Sequence, residues 1–109
     1  MHTYLANAFS INMLTREDFH LHFMPISDTY AKQLARRAIQ DGNFISVIGH
    51  ESTAAVLSNM LGINIDAQRV NVEFKDEDVI IVAQYHGPRL SEGATELPDG
   101  AVIKFWSVS

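Results

Sequence analysis

The chain predicts a single α/β domain (α+β mixed), with a mixed, mostly antiparallel sheet flanked by helices. Two stretches carry apolar residues at helical spacing, several short runs are apolar or alternate with a period of two, and glycine- or proline-bearing turns separate them. With 109 residues, 47% of them apolar, residues 1–109 suffice for one core and not for two.

In order, Tyr4 to Phe9 is a short apolar run that predicts the first strand, and Ser10 to Thr15 a mixed loop. Phe19, Leu21 and Phe23 alternate with His20, His22 and Met24, the period of a half-exposed strand, which Pro25 should end. Ser27 or Asp28 can cap a helix whose buried stripe is Ala31, Leu34, Ala35 and Ala38. Asp41-Gly42-Asn43 stops it, and Phe44 to Ile48 reads as a strand. A second helix covers Ala54 to Leu61 and ends at Gly62. Val70, Val72 and Phe74 alternate, Lys75 to Asp78 is polar, and Val79 to Tyr85 is continuously apolar, which predicts an antiparallel hairpin. Loops at 86–93 and 98–100 precede a last strand, Ala101 to Val108.

A net charge of −5 leaves no global basic field, so an anionic ligand has to be held by a few local cations and long nucleic acid is not an expected partner. There are no cysteines, which excludes disulfides and thiolate metal sites. The first residues do not resemble a signal peptide, and no apolar run approaches the ~20 residues of a membrane span. The expected setting is the cytoplasm.

The joint Ile48-Gly49-His50-Glu51-Ser52-Thr53 places His50 where a strand turns into a helix. Free amides gather at such a helix start and favour anions, and an imidazole there can donate a proton near neutral pH. A ring that simply caps the helix is the plainer alternative. Arg89 and Glu92 stand three apart in the Gly/Pro-bounded loop, where they form either a phosphate grip with a carboxylate neighbour or a solvated ion pair. His20 and His22 share a strand face with Asp18 in register, which is a loose metal pattern and more simply an exposed face. Lys32, Arg36 and Arg37 form either a basic helix face or three solvated cations.

Three blocks in order, Tyr4-Leu5-Ala6-Asn7-Ala8-Phe9-Ser10-Ile11-Asn12-Met13-Leu14, Ile48 to Thr53, and Arg89-Leu90-Ser91-Glu92-Gly93, resemble the viral ring nucleases. These are the anti-CRISPR proteins that disarm type III systems. The resemblance implies a homodimer that binds cyclic tetra-adenylate and cuts it without a metal or other cofactor, in the host cytoplasm if the source is viral. By the matching motifs it implies His50 as general acid, with Arg89 and Glu92 in the loop that meets it. Asn7, Ser10 and Asn12 fall in the block that lines the nucleotide site, and Gln84 matches a glutamine that contacts ligand. Gly49, Ser52 and Thr53 belong to the anion-binding helix start. Phe9, Met13 and Leu14 offer apolar surface for adenine or else belong to the core.

A helix N-terminus disfavours imidazolium, and Glu92, with Glu51 as a second carboxylate, would oppose that. The competing readings are a protein that sequesters the ring without cutting it, and a small nucleic-acid-binding regulator using Lys32, Arg36 and Arg37.

Overall fold

The computed structural model describes residues 1–15 and 18–109. Its strands are β1 (Thr3–Ala6), β2 (Phe23–Ile26), β3 (Phe44–Ser46), β4 (Val79–His86) and β5 (Val102–Val108), and its helices are α1 (Asp28–Gln40) and α2 (Glu51–Leu61), with a 3-10 turn at Ile11–Met13. The five strands form one sheet in the order β2-β5-β4-β1-β3. β1 runs parallel to both β3 and β4, whereas β5 runs antiparallel to β4 and β2, so the mixed sheet divides evenly between the two pairings.

Alternation along the strands gives the sheet two apolar faces. Leu5, Ile81, Ala83 and Phe105 point one way and pack under Ala31 and Ala35 of α1 and Ala54, Leu57 and Leu61 of α2. Tyr4, Ala6, Ile80, Val82 and Val108 point the other way and are covered by Val72 and Phe74, with Phe9, Met13, Leu14, Phe19 and Leu21 around them. Phe9, Met13 and Leu14 are therefore core neighbours first. Because β4 is covered on both faces, its apolar run is continuous.

Two expected strands are different objects. Residues 70–74 do not pair with β4, whose neighbours are β1 and β5. They lie across the second face, where Phe74 donates its N–H to Met13 O at 2.7 Å and makes an isolated bridge with Leu14. Their period of two reports one buried side, with Val72 and Phe74 buried, and not a ladder. Likewise β2 begins only at Phe23, and Pro25 lies inside it, opposite Trp106. A sheet edge tolerates a residue without an N–H, and β2 is the edge. The first strand is also shorter than expected and stops at Ala6.

Helix signals read more directly. Ser27 caps α1, accepting from the Tyr30 N–H at 3.0 Å. α2 ends at Gly62 in the left-handed conformation. Lys32 and Arg36 of α1 stand over Gly62, against the negative end of the α2 dipole. That placement accounts for the two cations without a nucleic-acid face. Among the described residues, no helix is long and apolar enough to cross a membrane.

The β1–β4 pairing is anchored at its start by Asp78, which is buried. Its two carboxylate oxygens accept the backbone N–H groups of His2 at 2.7 Å and Lys75 at 3.0 Å. The 75–78 turn thus delivers β4 alongside β1.

Candidate functional site

Strand polarity brings the carboxyl ends of β3, β1 and β4 to one side of the sheet. Ligands of α/β sheets bind beyond such ends. Here the ends carry Asn7 after β1, Gly49 and His50 after β3, and Gln84 and Tyr85 near the end of β4. They border a groove of about 990 Å³ that is also lined by Arg89, Leu90 and Glu92. That volume is at the upper end of the ~300–1,000 Å³ usual for small-molecule sites.

His50 is the N-cap residue of α2 by backbone geometry, with φ −122° and ψ 133°, but its side chain makes no capping hydrogen bond. The ring is exposed and borders the groove. The plainer reading of His50 as a cap thus does not describe this residue. Beside it, the first intrahelical bond of α2 is donated by Ala54, which leaves the amides of Glu51, Ser52 and Thr53 without partners in the helix.

Arg89 and Glu92 do not pair with each other as a surface ion pair would. Both side chains are exposed and border the same groove as His50. Their loop is held from several points. The Tyr85 hydroxyl donates to Pro88 O at its start. The Ser52 hydroxyl donates to Ser91 O at 3.0 Å, and Asn59 Nδ2 donates to Thr95 O at 2.5 Å. Ser52, expected among the ligand-binding residues, thus has its hydroxyl on the loop.

Eight expected residues, Asn7, Gly49, His50, Ser52, Thr53, Gln84, Arg89 and Glu92, come together around this groove. Ser10 and Asn12 do not. They border an adjoining cavity of about 550 Å³ on the side of the 3-10 turn, and Asn7 belongs to both. Ser10 Oγ accepts the Asn12 N–H at 3.3 Å and so caps that turn. Gln84 Oε1 accepts from Trp106 Nε1 at 3.4 Å.

Sequence reasoning missed Arg69. The loop after α2 is stitched to the strand leading to His50: Ser46 Oγ donates to Asp66 O at 2.8 Å, Gln68 N to Ile48 O at 2.8 Å, and Gln68 Nε2 to Ser46 O at 2.5 Å. Arg69 therefore arrives over Gly49 and borders the groove between Asn7 and His50. Nothing periodic marks residues 62–69, and the signal available was a lone cation in an otherwise uncharged stretch after Asp66.

His20 and His22 lie outside the strands, and His20 Nε2 is 3.9 Å from an Asp18 oxygen. Among the described residues, no three His, Cys, Asp or Glu side chains gather as a metal site would require.

A family model described as STIV B116-like matches residues 3–104. The chain belongs to the STIV B116-like family. The solved structure of B116 from Sulfolobus turreted icosahedral virus superposes with a TM-score of 0.87 at 27% identity, covering 99% of this chain and 98% of that one. Uncharacterized protein 26 of Sulfolobus islandicus filamentous virus is 26% identical over 101 residues, which is 93% of this chain and 75% of that protein. Both relatives of this STIV B116-like protein are viral.

Proposed function

We propose that the protein is a metal-independent ring nuclease that binds cyclic tetra-adenylate across a homodimer and cuts it to linear di-adenylate, which would antagonise type III CRISPR signalling. The observation that carries this reading is the convergence of His50, Arg89 and Glu92, far apart in sequence, on one groove.

The ring supplies its own nucleophile, the ribose 2′-hydroxyl. The 2′-oxygen attacks the adjacent phosphorus, the bond from phosphorus to the 5′-oxygen breaks, and the leaving oxygen takes a proton. The products are a 2′,3′-cyclic phosphate and a free 5′-hydroxyl. His50 donates the proton, as general acids do for a gain of ~10²–10⁴-fold. Arg89 holds the phosphate by two parallel N–H bonds, and the amides of the first turn of α2 add to the positive environment. Arg69 presents a second guanidinium to the groove, its Nε held by the Gly49 carbonyl. Glu92 borders the same groove from the loop and offers a carboxylate to the reacting end of the ring.

Two-fold symmetry suits the ligand, since a ring of four identical nucleotides offers two opposed phosphates to two identical sites. It also answers the net charge of −5, because the local cations of two chains would meet around one ring. The sequestering alternative has the same groove and lacks the chemistry.

The test is incubation of the protein with labelled cyclic tetra-adenylate in EDTA. Linear di-adenylate carrying a 2′,3′-cyclic phosphate is the expected product. Tight binding with no product would identify a sequestering protein, and absence of both would end this reading.

A further inference from the structure

We infer that Ser52 is a positioning residue, whose hydroxyl, by gripping the turn that carries Glu92, holds Glu92 at the groove that His50 borders. This rests on the reading of the groove as a ring-cleaving site.

Residues Ser91 to Ala94 form a tight turn, closed by the Ala94 N–H donating to Ser91 O at 3.0 Å. Gly93 takes φ +80° at its third position, as the second central residue of a type II turn does, and this leaves Glu92 at the tip. The closing carbonyl is also the acceptor for Ser52 Oγ at 3.0 Å. Ser52 lies two residues beyond His50, within the first turn of α2. A single side-chain hydrogen bond therefore joins the peptide next to Glu92 to the helix turn next to His50.

A second tie runs parallel to it. Asn59 lies seven residues after Ser52, on the same side of α2, and its amide donates to Thr95 O at 2.5 Å. The rise from Ser52 to Asn59 is about 10 Å, and the chain from Ser91 to Thr95 can span it. Glycine turns and an exposed loop are otherwise the pliable part of a fold. The two ties make α2 and the 91–95 segment one unit, so the acid and its carboxylate neighbour move together. Placement of reacting groups to within about 1 Å is worth ~10²-fold in rate.

The experiment compares wild type, Ser52→Ala, Ser52→Thr and Ser52→Ala/Asn59→Ala by single-turnover cleavage of cyclic tetra-adenylate, by ring binding, and by amide hydrogen exchange. Ser52→Ala should lower the cleavage rate roughly 10- to 100-fold. Ring affinity should stay within about threefold, exchange should rise at 91–95 alone, and Ser52→Thr should recover most of the rate. The double variant should extend the loss and the exchange. A fall in affinity with an unchanged rate would overturn the proposal, because Ser52 would then bind ligand directly. Unchanged cleavage, or faster exchange throughout the chain, would overturn it as well. If wild type leaves the ring uncut, the functional reading fails by itself, and exchange at 91–95 still decides whether Ser52 holds the turn.

Discussion

Arg69 lies across Gly49 and donates from Nε to the Gly49 carbonyl oxygen at 3.2 Å. A methyl group at position 49 would sit 3.3 Å from Arg69 Cγ and 3.6 Å from its Nε, so the arginine would have to shift by a few tenths of an ångström. Gly49→Ala is therefore expected to displace a guanidinium from the groove while leaving the fold intact. Calorimetry should show stability within ~0.5–1 kcal/mol of wild type, and ring affinity should fall by about tenfold. A large loss of melting temperature with normal affinity would mean that Gly49 serves the backbone and not Arg69.

On the proposed reading Arg89→Ala should lose both affinity and cleavage, since its phosphate contact would serve both before and during the reaction. A charge-assisted bond is worth ~1.5–3 kcal/mol, which corresponds to about 10- to 150-fold in binding. Arg89→Lys should recover little, because an ammonium lacks the planar fork. Normal affinity in Arg89→Ala would remove it from the phosphate site.

Tyr4 supplies a pH prediction. Burial is the first cause that raises its pKa above the ordinary 10.0, and the charges of Asp78 and Glu73 push the same way. The unfolded chain thus ionises first as pH rises. Stability is full below about pH 10 and declines as pH climbs from there through the raised folded value. Denaturation between pH 8 and 11 should show this decline, and Tyr4→Phe should flatten it. An identical decline in Tyr4→Phe would assign it to other groups.

Much of this was legible because short-range signals made it so. Ser27, Gly42 and Gly62 mark helix ends through local backbone chemistry, and each serves where the residue type predicts. The run Val79 to Ala83 is apolar because helices and a loop cover both its faces. The pairing partner was not legible. Val72 and Phe74 alternate as a strand would, yet they pack over the sheet, since alternation records burial and not which backbone accepts the hydrogen bonds. Eight of the expected residues border one groove and lie in or beside short recognisable sequence blocks, whereas the placement of Arg69 depends on the Gln68 and Ser46 bonds that fold its loop back, and these are long-range.

The charge balance leads to a prediction about assembly. One chain brings Arg69 and Arg89 to the groove, which is few cations for four phosphates. Scattering or ultracentrifugation should show a dimer without ligand, and titration should give one ring per two chains. A stable monomer that binds one ring per chain would overturn the symmetric two-cut scheme, although His50 could still be the acid.

The most direct test of His50 as the acid is paired measurement on His50→Ala in EDTA: single-turnover cleavage of labelled cyclic tetra-adenylate, and equilibrium binding of the same ring. The account predicts a rate lower by ~10²–10⁴-fold with affinity nearly unchanged. Near-normal cleavage in His50→Ala would contradict it.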